Sequence, residues 1–157
     1  MSNSTPSTQV LKKAKVAFSL KQYDYDPGAD RIGLQAADAM GADPEVVYKT
    51  LMIEMDGKPV CAVIPSDREV NMKKLAKALG GKSAAMMQPH DAERVTGFKV
   101  GGISPLGQRK RVPCALEEAA MERETIHVNG GQRGLQILVA PKDLVSVLRC
   151  VVADITR

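Results

Sequence analysis

The strongest constraint on this chain lies in residues 47–64. Two largely apolar runs, 47–55 and 59–64, flank the dipeptide Asp56-Gly57. Asp-Gly suits a two-residue hairpin loop, because both central positions of its commonest form need φ > 0. The segment is therefore predicted as a pair of antiparallel strands. A second pair, 125–128 and 135–139, is predicted across the turn Asn129-Gly130-Gly131-Gln132-Arg133-Gly134.

Helices alternate with these strands. Met72, Leu75, Ala76 and Leu79 recur at i, i+3, i+4 and i+7, which predicts an amphipathic helix over 71–79 ended by Gly80-Gly81. Further helices are predicted over 8–15, 34–40 with Gly41 as C-cap, from Pro89 onward, and over 141–148, with a helical turn at 117–121. Further strands are predicted at 17–25, 111–116 and 150–155, with a turn-rich loop at 24–30 and a glycine-rich one at 97–107. The class implied is α+β: a mixed, mostly antiparallel, barrel-like sheet flanked by helices.

The 157 residues fit one domain, 1–157, with residues 1–8 expected as a loose polar start. The core must be aliphatic, since there is no Trp and only three Tyr and two Phe. So few aromatic residues also argue against single-strand binding by base stacking. A net charge of +4 is mild, and suits a polyanionic partner held briefly. Cys61, Cys114 and Cys150 are odd in number and lack CxxC spacing, so core thiols in a reducing compartment are expected. With no signal peptide and no membrane-spanning run, a cytoplasmic location is expected.

Two segments could carry chemistry. Lys49 stands on the same strand face as Val47, Leu51 and Ile53. It is either an edge residue whose amine reaches water along its stem, or a cation turned into a cavity to hold phosphate or carboxylate. The loop Gly101-Gly102-Ile103-Ser104-Pro105 is either a plain connection or a device for aiming backbone N–H groups at a developing oxyanion. It has no P-loop ending. Gly130-Gly131-Gln132 matches the release-factor triplet, but its place between two strands favours a hairpin turn. His90 and His127 lack neighbours at metal-ligand spacing, and no nucleophilic triad is identifiable. Lys73/Lys74/Lys77 and Arg109-Lys110-Arg111 are either solvated faces or a rim for nucleic-acid phosphates.

Tyr48-Lys49-Thr50-Leu51, residues 101–108 (Gly-Gly-Ile-Ser-Pro-Leu-Gly-Gln) and residues 130–134 (Gly-Gly-Gln-Arg-Gly) together resemble the YbaK/EbsC family, over about residues 10–154. Tyr-Asp-Tyr-Asp at 23–26 and Asn-Met-Lys-Lys at 71–74 add to the likeness. The resemblance implies a mixed β-barrel with flanking helices, akin to the editing domain of bacterial prolyl-tRNA synthetases. It implies a trans-editing deacylase that clears cysteine from Cys-tRNA(Pro), or from Cys-tRNA(Cys), with prolyl-tRNA synthetase as a possible partner. No cofactor, metal or membrane is implied. Lys49 would hold the 3′-terminal adenosine and its phosphate. Gly101 would open a G-x-x-x-P loop, closed by Pro105, whose backbone grips the aminoacyl carbonyl and terminal ribose. Tyr23, Ile32, Thr50, Gly102, Ile103, Ser104, Asn129, Gly130, Gly131 and Gln136 complete the expected substrate-binding set. Ile32, Asn129 and Gln136 stand where relatives often carry Phe, Ser and Asp, which bears on the amino acid accepted. Because no base or nucleophile is evident, the substrate thiol would attack its own ester, giving a thiolactone. The alternatives are a hydrolase for Ala-tRNA(Pro) or another small residue, a non-catalytic aminoacyl-tRNA or synthetase binder, and a generic phosphate binder.

Overall fold

The computed structural model describes residues 4–25 and 32–157, with the side chains of 32–35 also outside the description. Most of the expected loop at 24–30 and the side chain of Ile32 therefore lie outside the described residues.

The hairpin forms as its turn chemistry requires. Strand β2 (Tyr48–Met55) pairs antiparallel with β3 (Lys58–Pro65), in register from Tyr48 opposite Pro65 to Met55 opposite Lys58. Asp56 and Gly57 take φ 51° and 81°, the left-handed pair that this turn needs. Both faces of the hairpin are covered, which explains its continuous apolar pattern. Tyr48, Met52, Cys61 and Val63 join one core cluster, and Ile53, Val60, Ala62 and Ile64 another.

A five-stranded sheet is built on this pair in the order β4-β2-β3-β5-β8, where β4 is Ala84–Met86, β5 Cys114–Glu117 and β8 Val151–Ala153. A three-stranded sheet has the order β1-β7-β6, where β1 is Phe18–Gln22, β6 Ile126–Asn129 and β7 Leu135–Val139. Pairing is antiparallel except for β3 with β5 and β5 with β8. The fold is α+β with a mixed sheet, but the expected barrel is not closed. The two sheets meet at an isolated bridge between Val47 and His127, where the His127 N–H donates to the Val46 carbonyl at 2.9 Å. Strand β4 has no sequence signal of its own. It exposes Met86, while Met87 packs on the core.

The helices are α1 (Pro6–Lys13), α2 (Ile32–Met40), α3 (Met72–Leu79), α4 (Pro89–Thr96) and α5 (Pro141–Leu148), with a 3-10 turn at Glu118–Glu122. The Asn71 side chain caps α3 by accepting from the Lys74 N–H at 3.0 Å, and Gly80 ends it at φ 79°. Leu75 and Ala76 turn inward, as the periodicity predicts.

The chain start differs from expectation. Residues 5–8 are not loose: Thr5, Ser7 and Thr8 are all buried. Pro6 opens α1, and Thr5 and Thr8 form a reciprocal capping box at 3.2 and 2.9 Å. The Thr5 hydroxyl then donates to the Gly130 carbonyl at 2.6 Å and the Ser7 hydroxyl to the Leu106 carbonyl at 2.7 Å. Small hydroxylated residues look like a disordered tail by composition. Here they tie the first helix to both glycine loops.

Candidate active site

A cavity of about 350 Å³ opens where the start of β2 meets the glycine loop and the β6–β7 hairpin. Among the described residues, β4 pairs with residues 53–55 of β2, and the Lys49 half of that strand pairs with β3. Lys49 and Thr50 face opposite ways along the strand, yet both line the cavity. Lys49 thus stands in the cavity wall.

Gly101 faces them. It has φ +90°, and a side chain there would stand 2.5 Å from the Tyr25 hydroxyl, so only glycine fits. Its carbonyl accepts from Asn129 Nδ2 at 3.0 Å, while Asn129 Oδ1 accepts from the Gly131 N–H at 2.8 Å. Asn129 thus spans the loop and the hairpin turn. Gln136, directly opposite Asn129 in the β6–β7 ladder, is buried. Tyr23 enters from the end of β1, its N–H bonded to the Gly134 carbonyl at 2.9 Å.

The cavity is polar at its back. The Tyr23 hydroxyl, Thr50 Oγ1 and Gln136 Oε1 are shielded and have no hydrogen-bond partner among the described residues. Buried polar atoms rarely remain unpaired without a functional reason or an unseen partner. Burial raises the Tyr23 pKa, moderated by the neighbouring Gln136 side chain, so the phenol stays protonated. Tyr48 at the wall is pushed up to about 12 by burial, with Glu117 adding to the rise.

Of the residues singled out from sequence, Tyr23, Lys49, Thr50, Gly101, Ile103, Asn129 and Gln136 line this one cavity. Gly102, Ser104, Pro105, Gly130 and Gly131 do not. Gly102 is buried against the Gln132–Arg133 backbone. Ser104 is buried, its hydroxyl oxygen accepting from the Leu106 N–H at 3.0 Å. Pro105 lines a second cavity of about 210 Å³ with Gln108 and Cys114. Gly130 bonds the Leu135 carbonyl at 2.9 Å, closing the hairpin, and Gly131 packs on Ser7 and Phe98. The Gly-Gly-Gln triplet is therefore a hairpin turn.

Ala36, Val47, Tyr48, Leu51, Ser66 and Val100 also line the cavity and were not in the expected set. Ser66 could have been found by counting back from the Asp-Gly turn, which sets position 66 opposite Val47. Its N–H indeed donates to the Val47 carbonyl at 2.8 Å. The basic clusters separate. Lys74 on α3 is bonded to Asp154 at 2.8 Å. Arg109 lies along Gly97 at the entrance to the glycine loop, and Lys110 beside it is exposed. His90 is exposed beside Asp91, and burial and Lys21 lower the pKa of His127. Cys61 and Cys114 are buried, Cys150 is half-buried, and all three are free thiols.

Comparison with known proteins places the chain in a family. Residues 26–147 match the family model described as aminoacyl-tRNA editing domain. The chain is 35% identical over 154 residues to the Enterococcus faecalis protein named "Putative Cys-tRNA(Pro)/Cys-tRNA(Cys) deacylase EbsC", covering 97% of this chain and 93% of that one. Over 81 residues it is 37% identical to the proline–tRNA ligase of Nitratidesulfovibrio vulgaris, covering 52% of this chain and 14% of the ligase. The fold is shared with a crystal structure titled "a putative trans-editing enzyme for prolyl tRNA synthetase", with TM-score 0.77, 21% identity, and 98% and 99% of the two chains covered.

Proposed function

This chain belongs to the aminoacyl-tRNA editing domain family, among its YbaK/EbsC members, and on that premise we propose that it removes cysteine from Cys-tRNA(Pro) in trans. The observation that carries this reading is the meeting of Lys49 and Gly101 across one cavity, where the lining serine, Ser66, has its hydroxyl committed to the Pro44 carbonyl at 3.0 Å. Lys49 holds the 3′-terminal adenosine and its phosphate. The glycine loop receives the ester carbonyl, and Tyr23, Thr50 and Gln136 surround the aminoacyl group. The substrate thiol attacks its own carbonyl carbon, and the carbon–sulfur bond forms as the bond to the tRNA 3′-oxygen breaks. The thiol proton passes to that departing oxygen, leaving a thiolactone. The protein contributes positioning and stabilisation of the negative carbonyl oxygen. Prolyl-tRNA synthetase is a candidate partner for tRNA choice, since phosphate contacts carry little sequence information.

Purified protein should release cysteine from Cys-tRNA(Pro) and leave Ser-tRNA(Pro) intact, and Lys49→Ala should abolish release without lowering the melting temperature. Equal loss of both amino acids would rule out the substrate-thiol mechanism. One observation favours a second reading: the unpaired Thr50 and Gln136 oxygens could orient a water for hydrolysis of Ala-tRNA(Pro). A panel of mischarged tRNAs, run with and without the synthetase, separates the two.

A further inference from the structure

Where the chain enters the glycine loop, at Val100–Gly102, most of the backbone is already bonded. The Val100 N–H donates to the Glu93 carboxylate at 2.8 Å. The Val100 carbonyl accepts from Arg133 Nε at 2.8 Å. The Gly101 carbonyl accepts from Asn129, and the Gly102 N–H donates to the Lys99 carbonyl at 2.7 Å. From the Val100 N–H to the Gly102 N–H, the Gly101 N–H alone has no partner among the described residues.

That N–H shares a peptide plane with the Val100 carbonyl. In a trans peptide the two point in opposite directions, so whatever fixes one aims the other. Arg133 is exposed and bonds the carbonyl from outside the loop, its guanidinium 5.3 Å from the centre of the Tyr25 ring. Tyr25 in turn covers the Gly101 α-carbon. Val100 and Gly101 both line the cavity. Glu93 anchors the N–H on the near side of the same residue.

We propose that Arg133 and Glu93 are positioning residues that clamp Val100, so that the Gly101 N–H is held toward the carbonyl of the aminoacyl ester. This rests on the deacylase reading and deepens it. The guanidinium also polarises the peptide it bonds, making the Gly101 N–H a better donor. Arg133 thereby acts through the backbone, without touching substrate. The Gly-Gly-Gln-Arg-Gly hairpin, which is not itself a catalytic triplet, supplies the clamp.

The test is Arg133→Lys. Lysine keeps a charge for any phosphate but loses the planar Nε donor and the ring stack. Single-turnover release from saturating Cys-tRNA(Pro) should fall by about 10-fold or more, since losing an oxyanion donor outright costs roughly 100- to 1,000-fold. Affinity for the tRNA should stay within about two-fold. Glu93→Gln, which retains an acceptor, should keep most of the rate, whereas Glu93→Ala should lose it. Weaker tRNA binding with an unchanged saturated rate would make Arg133 a phosphate contact and overturn the proposal, as would an unchanged rate. A readout independent of activity is the ¹⁵N–¹H resonance of the Gly101 amide, which should move in Arg133→Lys. If the wild-type protein deacylates no substrate in the panel, the deacylase reading fails. That resonance then decides the clamp alone: movement upholds it, and an unmoved signal overturns it.

Discussion

Gly102→Ala is the cleanest perturbation of the loop, because its effect on the folded state is steric. Gly102 does not sit at positive φ, so alanine meets no backbone strain there. Its Cβ would lie 2.9 Å from the Arg133 nitrogen and 3.0 Å from the Gln132 carbonyl carbon, backbone atoms that cannot rotate away. Loop and hairpin must separate by about half an ångström or more to reach ordinary contact. Overpacking of this kind costs about 1–3 kcal/mol. Reduced freedom of the unfolded chain returns about 0.4–1 kcal/mol. The net loss is roughly 0–2.6 kcal/mol, or up to about 10 °C in melting temperature for a chain of this size. Activity should suffer more than stability. Moving the hairpin stretches the Arg133–Val100 and Asn129–Gly101 bonds, now 2.8 and 3.0 Å, toward the limit of hydrogen bonding. A misplacement approaching 1 Å can cost about 100-fold in rate. The assay pairs a thermal melt with single-turnover deacylation. Its control is Gly57→Ala, at φ +81° in open space on the β2–β3 turn. That change costs a comparable 1–2 kcal/mol through backbone strain but leaves the loop alone. A wild-type rate in Gly102→Ala, or an equal rate loss in both variants, would refute the coupling of hairpin and loop.

Other expectations follow from the same contacts. Asn129→Ala removes two hydrogen bonds at about 0.5–1.5 kcal/mol each, so a loss of roughly 1–3 kcal/mol is expected by denaturant titration, together with slower deacylation. His127 has its pKa lowered by burial and then by Lys21. Its contribution is fully present above its unfolded value of 6.5 and is lost as pH falls from there through the lower folded value. Lys21→Ala should raise the His127 pKa in an NMR titration and soften the acid-side loss of stability. Arg109→Ala and Lys110→Ala should each weaken tRNA binding and reduce its salt slope by about one, while Lys74→Ala, already paired with Asp154, should do neither.

The elements legible in the sequence were those whose cause is local. The Asp56-Gly57 turn fixed its own hairpin register, and the apolar stripe of residues 72–79 with Asn71 and Gly80 fixed α3. Lys49 stood out because a cation broke an aliphatic face, and Gly101 because five residues of loop carried two glycines and a proline. Strand β4 was invisible because three residues with two alanines carry no periodicity, and it exists by pairing with β2. The order of Thr5–Thr8 was invisible because its partners, Gly130 and Leu106, lie 125 and 99 residues away. Arg133 lay within a motif, but its role was not legible: an arginine in a glycine turn is an ordinary surface residue until the carbonyl it bonds is known.

A site that relies on a backbone donor distributes its sensitivity unevenly. The Gly101 N–H cannot be removed by substitution, except by proline; it can only be misdirected. What directs it are contacts from three separated parts of the chain: Glu93 on α4, and Asn129 and Arg133 on the hairpin, with Tyr25 laid over the glycine. The first helix braces the same hairpin through Thr5. A conservative change at any of these points alters an angle rather than a functional group. Rate should therefore fall before affinity does, since tRNA phosphate contacts remain. Lys49 is the exception, because its charge meets substrate directly in the proposed complex, and its loss should reduce both. The ratio of the two effects across variants distinguishes a clamp from a contact, residue by residue.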